Sequence, residues 1–253
     1  MKKVIIAITV RTLSKRLKKK AFLKIGNKKI IEWCIYNCKK SSIEDKSIIL
    51  TTTCKREDMQ FKKIANKENI SFFTGSEKNV VNRLLRLLII KKADYLIRVT
   101  GDSPLVDHQL IDQLQDEIEK GYDFIYFSDG PLGIKPELFS KSSLLKLSKY
   151  KSTKDCEYLS LFYKNNIQKF KIKKKKFYLK NKYNSLRLNI DYKLDFDLHK
   201  KIFKKFGSKS YDSTKIIKLS DNNKFIKRYN AKIKPIYEKG ELAKKLKILT
   251  KLN

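Results

Sequence analysis

The sequence predicts an α/β protein built on a mostly parallel sheet with helices on both faces. Short β-rich runs alternate with helical patterns through the first half of the chain, and 253 residues with 41% hydrophobic content suffice to bury such a core as one domain. Strand–helix–strand succession implies right-handed crossovers and a parallel sheet covered on both sides. In such sheets ligands gather at the carboxyl ends of the strands, so the segments just after each strand are where chemistry is expected.

The expected strands are VIIAI (4–8), SIILTT (47–52), ISFF (70–73), DYLIRVT (94–100) and DFIYF (123–127), each short, β-branched or aromatic, and bounded by polar residues. Between them, KKIIEWCIYNCKK, EDMQFKKIANKE, NVVNRLLRLLIIKK and DHQLIDQLQDEIEK place apolar residues at helical spacing. SDGPLGIKPELFS (128–140) reads as turn residues and the start of a helix, and DCEYLSLFYKNN (155–166) as a helix. Residues 167–191 alternate loosely enough for strands, with the Lys173–Lys176 run as a solvated turn. KLDFDLHKKIFKKF (193–206) returns to helical spacing, and the remainder is helical and lysine-rich. No internal repeat or low-complexity linker divides the chain.

Charge narrows the partners without choosing one. Sixty Lys and Arg against 26 Asp and Glu give a net charge of +34, which suits nucleic acid, an anionic membrane surface or an anionic small substrate. The lysines spread along the whole chain, as they would in a compositionally biased proteome. Four cysteines (Cys34, Cys38, Cys54, Cys156) without a CxxC and two histidines (His108, His199) argue against a zinc site. Cys34 and Cys38, one helical turn apart, read as half-buried thiols in a reducing cytosol. Val4–Ile8 is too short for a signal-peptide core or a membrane span, and no later run is long enough. A cytoplasmic protein without membrane insertion is expected.

Four segments carry candidate chemistry. After the first strand, TVRTLSKRLKKK offers Arg11, Ser14, Arg16 and Lys20 as donors for phosphate, helped by loop amides. FFTGSEKNVVNR (72–83) opens a helix, with Ser76 as its N-cap and Arg83 on it. In RVTGDSPLVD (98–107), Asp102 lies just past a strand end, suited to a hard divalent cation, and Asp107 caps the next helix. In RLNIDYKLDFD (187–197), Asp191 follows an apolar run and Asp195 sits inside the following helix.

Taken in this order, the segments resemble the cytidylyltransferases of the spore-coat polysaccharide type, relatives of the acylneuraminate and deoxyoctulosonate enzymes. The family's AR-x-x-S-x-RLPGK is matched by VRTLSKRLKKK, GSE-x-x-V-x-x-R by GSEKNVVNR, and R-x-TGD-x-P-L-x-D by RVTGDSPLVD. A PDG-type turn before E-x-F resembles SDGPLGIKPELF, an REH helix resembles DCEY, and R-L-x-x-D-x-x-x-D is matched by RLNIDYKLD. The likeness covers roughly residues 2–205.

The resemblance implies a three-layer α/β/α fold with a mixed, mainly parallel sheet, of the nucleotide-diphospho-sugar transferase (glycosyltransferase A-like) type. It implies transfer of CMP from CTP to a sugar acid or similar acceptor, with Mg²⁺ as cofactor. Lys20, Asp102 and Asp191 would be catalytic, the two aspartates holding the metal. Arg11, Ser14, Arg16, Lys20, Ser76 and Arg83 would bind the nucleotide, and Asp129, Glu157 and Arg187 the acceptor. A homodimer is expected, paired through an excursion at 165–185, with 207–253 as a helical extension. The chain departs from the family in having Leu13, Lys18 and Lys19 where the first loop carries proline and glycines, and Cys156 and Tyr158 for the Arg and His of REH. Two other classes stay open on sequence. A nucleic-acid binder would explain the charge, yet no helix-turn-helix, zinc or single-strand aromatic motif appears. A catalytically silent family member would explain the lost glycines.

Overall fold

The computed structural model describes residues 2–14, 16–155, 158–179, 183–233 and 240–252. The main sheet has seven strands: β1 (Val4–Thr9), β4 (Ile48–Thr53), β5 (Ser71–Gly75), β6 (Tyr95–Thr100), β7 (Phe124–Phe127), β8 (Glu137–Ser140) and β9 (Ile172–Lys175). They lie in the order β5-β4-β1-β6-β8-β7-β9, with β8 antiparallel to both its neighbours and the other pairings parallel. A two-stranded hairpin, β2 (Lys24–Ile25) and β3 (Lys28–Lys29), stands apart from the sheet.

Period-two alternation along β1 divides the core into two layers. Ile6 and Ile8 pack with Trp33 and Ile35 of α1 (Ile30–Cys38), Phe61 of α2 (Gln60–Lys67), Leu110 of α4 (His108–Gln115) and Leu198 of α7 (Lys193–Phe206). Ile5 and Ala7 pack on the opposite face with Leu84 of α3 (Val80–Ile90), Leu144 of α5 (Lys141–Ser148) and Phe162 of α6 (Leu159–Lys164). Helices α8 (Ser213–Asn222), α9 (Lys224–Arg228) and α10 (Gly240–Leu249) complete the chain. The expected three-layer, mixed and mainly parallel fold is what forms. No helix among the described residues is long and apolar enough to cross a membrane.

Three sequence expectations need correction. Glu137–Ser140 is a strand, not the start of a helix; α5 begins only at Lys141, capped by Ser140. Leu138 and Phe139 enter opposite core layers, so a strand buried on both faces leaves no alternation to read. The Lys173–Lys176 run is not a solvated turn, because Ile172–Lys175 is the edge strand paired with β7. Lys173 and Lys175, two residues apart and so on one face, each lie 2.8 Å from buried Glu117. Cys34 and Cys38 are fully buried rather than half-buried.

Candidate active site

The loop after β1 is held by the end of β4 and by the helical turn Arg56–Asp58. The Thr12 N–H donates to Asp58 Oδ1 at 2.6 Å and its hydroxyl to the Glu57 carbonyl at 2.9 Å, while the Thr53 hydroxyl donates to the other Asp58 oxygen. Ser14 closes the next turn loosely, its Oγ 3.5 Å from the Leu17 N–H. At Lys19 the backbone enters the left-handed region, φ 49° and ψ 32°, and the chain turns into a short helical turn beginning at Lys20. The family pattern has its glycine at this position, so the turn survives the substitution at a cost of about 1 kcal/mol.

That turn delivers Lys20 between two carboxylates from distant parts of the chain. Its Nζ donates to Asp102 Oδ2 at 2.6 Å and to Asp191 Oδ1 at 2.8 Å. Asp102 reaches this point because β6 ends at Thr100, and its carbonyl accepts the Ile190 N–H at 2.9 Å, tying the two acidic segments together. Asp191 also accepts from Arg16 Nη2 at 2.6 Å and from Asn189 Nδ2 at 2.9 Å. Behind it, Asp195 sits in the first turn of α7 and accepts the backbone N–H groups of Asp191 and Tyr192, each at 2.9 Å.

A second approach sets the angle of this segment. Leu132 exchanges backbone hydrogen bonds with the 186–188 run, and Gly133 at φ +95° lies so near that a Cβ would stand 2.2 Å from the Asn189 nitrogen. Only glycine permits both that conformation and that approach.

Electrostatically the cluster is a pair of anions clamped by cations. Burial pushes the Asp191 carboxyl up, but Lys20 and Arg16 outweigh it and hold the pKa at about 2. Burial works against the Lys20 ammonium in turn, and Asp102 and Asp191 together raise its pKa above the usual lysine value. Lys20 and Asp191 are therefore both charged at neutral pH.

Two cavities meet here. One, of about 1090 Å³, is lined by Arg11, Ser14, Arg16, Lys20 and Arg83 among others. The other, of about 750 Å³, is lined on its far side by Asp129, Lys135, Lys164 and Arg187. Arg11, Arg16, Arg98, Thr100, Asp102 and Tyr158 belong to both. Three buried polar atoms of residues lining the smaller cavity lack a hydrogen-bond partner among the described residues: Arg98 Nε, Arg187 Nη1 and Asn189 Oδ1.

Most of the sequence-predicted residues are brought together, with differences. Ser76 lines neither cavity, and it is not the cap of α3; Asn79 is, through its side chain and the Asn82 N–H, while Ser76 Oγ accepts the Asn79 N–H. Asp107 caps α4 as expected. Asp129 is occupied by the Phe177 N–H at 2.7 Å, and Arg187 is turned onto Asp195. Glu157 lies outside the described residues. Sequence reading missed Arg98, paired with Glu137, which also accepts the Ser160 hydroxyl. It also missed the anchoring role of Asp195, although both residues stand inside the family-like motifs. No sequence signal marks Asp58.

The donor set suits a hard divalent cation. Two carboxylates converge on one point spanned by an ammonium, and among the described residues no sulfur or imidazole pairs with them, which is the oxygen chemistry that Mg²⁺ prefers.

A cytidylyltransferase family model matches residues 5–242. An uncharacterized protein of Methanocaldococcus jannaschii is 34% identical over 238 residues, 92% of this chain and 96% of its own length. The spore coat polysaccharide biosynthesis protein SpsF of Bacillus subtilis is 25% identical, over 88% of this chain and 96% of its own. A solved cytidylyltransferase from Leptospira borgpetersenii serovar Hardjo-bovis superposes with TM-score 0.82 at 26% identity, covering 94% of this chain and 100% of that one.

Proposed function

Because the chain belongs to the cytidylyltransferase family and is a CTP-using nucleotidyltransferase, we propose that it transfers CMP to a sugar acid or related surface-glycan precursor, releasing pyrophosphate. The observation that carries this reading is Lys20 bridging Asp102 and Asp191 where the two cavities meet. The larger, arginine- and lysine-lined cavity takes the triphosphate, and the smaller one takes the acceptor.

In the reaction an acceptor hydroxyl oxygen attacks the α-phosphorus of CTP, the bond to the β-phosphate breaks, pyrophosphate leaves, and the hydroxyl proton passes to solvent. Little covalent help is needed; positioning and neutralisation of charge do most of the work. Arg11, Arg16 and Lys20 hold the phosphates and spread their charge. Asp102 and Asp191 would hold Mg²⁺, which supplies further neutralisation at the reacting phosphate and the leaving group. With a pKa of about 2, Asp191 stays ionised and serves as a ligand rather than as a proton acceptor. The enzyme acts as a cytoplasmic homodimer paired within 165–185, a reading supported by Ile167 and Tyr178, which are 67% and 38% exposed. Sedimentation of a variant carrying Ile167→Lys tests that part, and an unchanged dimer would move the pairing surface elsewhere.

The activity itself is tested by incubating the protein with each of the four nucleoside triphosphates and Mg²⁺ and following thermal stability, then adding candidate sugar acids and following pyrophosphate. Stabilisation by CTP above the other three and acid-dependent pyrophosphate release are expected. Equal stabilisation by all four, with tight oligonucleotide binding that survives moderate salt, would favour the nucleic-acid reading instead.

A further inference from the structure

We infer that Lys135 and Lys164 form an anion-recognition pair in the second cavity that reads the acceptor's carboxylate. The inference deepens the acceptor reading and rests on it. Lys135 comes from the β7–β8 connection and Lys164 from the end of α6, and both line the cavity. The carboxylates lining the same cavity are engaged elsewhere. Asp102 and Asp191 face Lys20, Glu137 takes Arg98 and the Ser160 hydroxyl, and Asp129 takes the Phe177 N–H and the Ser128 hydroxyl.

Lys135 is thus left, half-buried, with a hydrogen bond to the Gly130 carbonyl at 3.1 Å and no ion pair among the described residues. Burial lowers its pKa and the Lys164 ammonium lowers it further, while the charges of Asp129 and Glu137 offset part of this without pairing with it. Two ammonium groups lining one partly dry cavity repel one another, and an anion seated between them removes that cost. Lys164 stands 4.5 Å from the Tyr126 ring centroid, a contact that holds its charge at the cavity wall.

The remaining polar surface fits the rest of such a molecule. Arg98, Arg187 and Asn189 line the same cavity, and guanidinium and amide groups together supply the donors and acceptor that sugar hydroxyls require. A neutral apolar acceptor would leave both ammoniums without an ion-pair partner among the described residues.

Two measurements test the pair. In steady-state transfer with N-acetylneuraminate or 3-deoxy-manno-octulosonate, Lys135→Met should raise the acceptor KM on the order of tenfold, with kcat and the KM for CTP little changed, and Lys135→Arg should restore most of it. In calorimetric titration, malonate should bind the wild type on the order of tenfold more tightly than Lys135→Met or Lys164→Met, and uncharged malonamide should not distinguish them. Equal malonate affinity in all three proteins, or an unchanged acceptor KM in Lys135→Met, overturns the inference. If no sugar acid supports pyrophosphate release by the wild type, the acceptor reading falls, and the malonate titration still judges the pair by itself.

Discussion

Arg187 and Asp195 lie buried against each other, Nε donating to Oδ1 at 2.9 Å and Nη2 to Oδ2 at 3.1 Å. The same Asp195 carboxylate accepts from Asn230 Nδ2 at 2.8 Å and holds the backbone of Asp191. One interior ion pair therefore positions a carboxylate of the candidate site.

Removing one member of such a pair strands the other. Asp195→Ala should destabilise the protein by about 3–5 kcal/mol, leaving buried Arg187 with only its longer, 3.5 Å contact to Asp191. Chemical denaturation measures the loss. A change under about 1 kcal/mol would mean that water already reaches the pair.

Asp102→Asn should behave differently, because its side chain is 21% exposed and its partner Lys20 keeps Asp191. Stability should stay near wild type while pyrophosphate release falls by a factor on the order of a thousand, and Asp191→Asn should lose activity to a similar degree. Near-normal turnover of both variants with saturating CTP and acceptor would remove the metal assignment.

Lys20→Ala and Arg16→Ala should weaken CTP binding far more than Lys218→Ala, which changes an exposed lysine of α8. Lys173→Ala and Lys175→Ala should act on stability instead. They abandon Glu117, whose pKa burial raises but the surrounding lysines pull down to about 2. Equal losses of CTP affinity across all five variants would indicate a diffuse basic surface.

Gly133→Ala forces a Cβ to within 2.2 Å of the Asn189 backbone nitrogen at φ +95°. Neither atom belongs to a side chain that can swing away, so a loss of more than about 2 kcal/mol is expected, together with a raised acceptor KM from displacement of the 187–191 segment. A thermal melt and a KM determination check both; a wild-type melt would contradict the packing described.

His199 supplies a pH dependence. Its Nε2–H donates to the Leu188 carbonyl at 3.1 Å and its Nδ1 accepts from the Tyr211 hydroxyl at 2.5 Å, so the ring is neutral, and burial holds its pKa down at about 4. The unfolded chain takes its proton first, near pH 6.5, so this contribution is whole above that value and lost as pH falls toward 4, by roughly 3 kcal/mol. The pH dependence of stability should be flatter in His199→Gln over that window. Parallel curves would show that His199 is not the titrating group.

The five leading strands and the helices between them were legible because each rests on local pattern, β-branched runs or helical spacing. Asp102 was legible as a polar residue just past a strand end, whereas the catalytic role of Lys20 and the metal role of Asp191 came only from the family-like motifs around them. Strands β8 and β9 were not legible. Leu138 and Phe139 form a strand because β6 and β7 flank them. Lys173 and Lys175 belong to an edge strand whose charges suggest solvent until Glu117 is found facing them. Asp195 and Arg98 stood inside recognisable motifs, yet their roles depend on partners from other elements, Asn230 and Glu137 among them, which spacing along the chain does not reveal.

By itself the sequence determined the layered α/β architecture, the order of the basic and acidic segments, and the family, because hydrophobic periodicity and short motifs are properties of neighbouring residues. Only the tertiary structure decided that Lys20 spans Asp102 and Asp191 across separations of 82 and 171 residues, that Arg187 serves Asp195, and that Lys135 and Lys164 share a cavity. Those pairings depend on how crossovers and loops bring distant backbone together, and on which charges are left without a counter-charge once they have met.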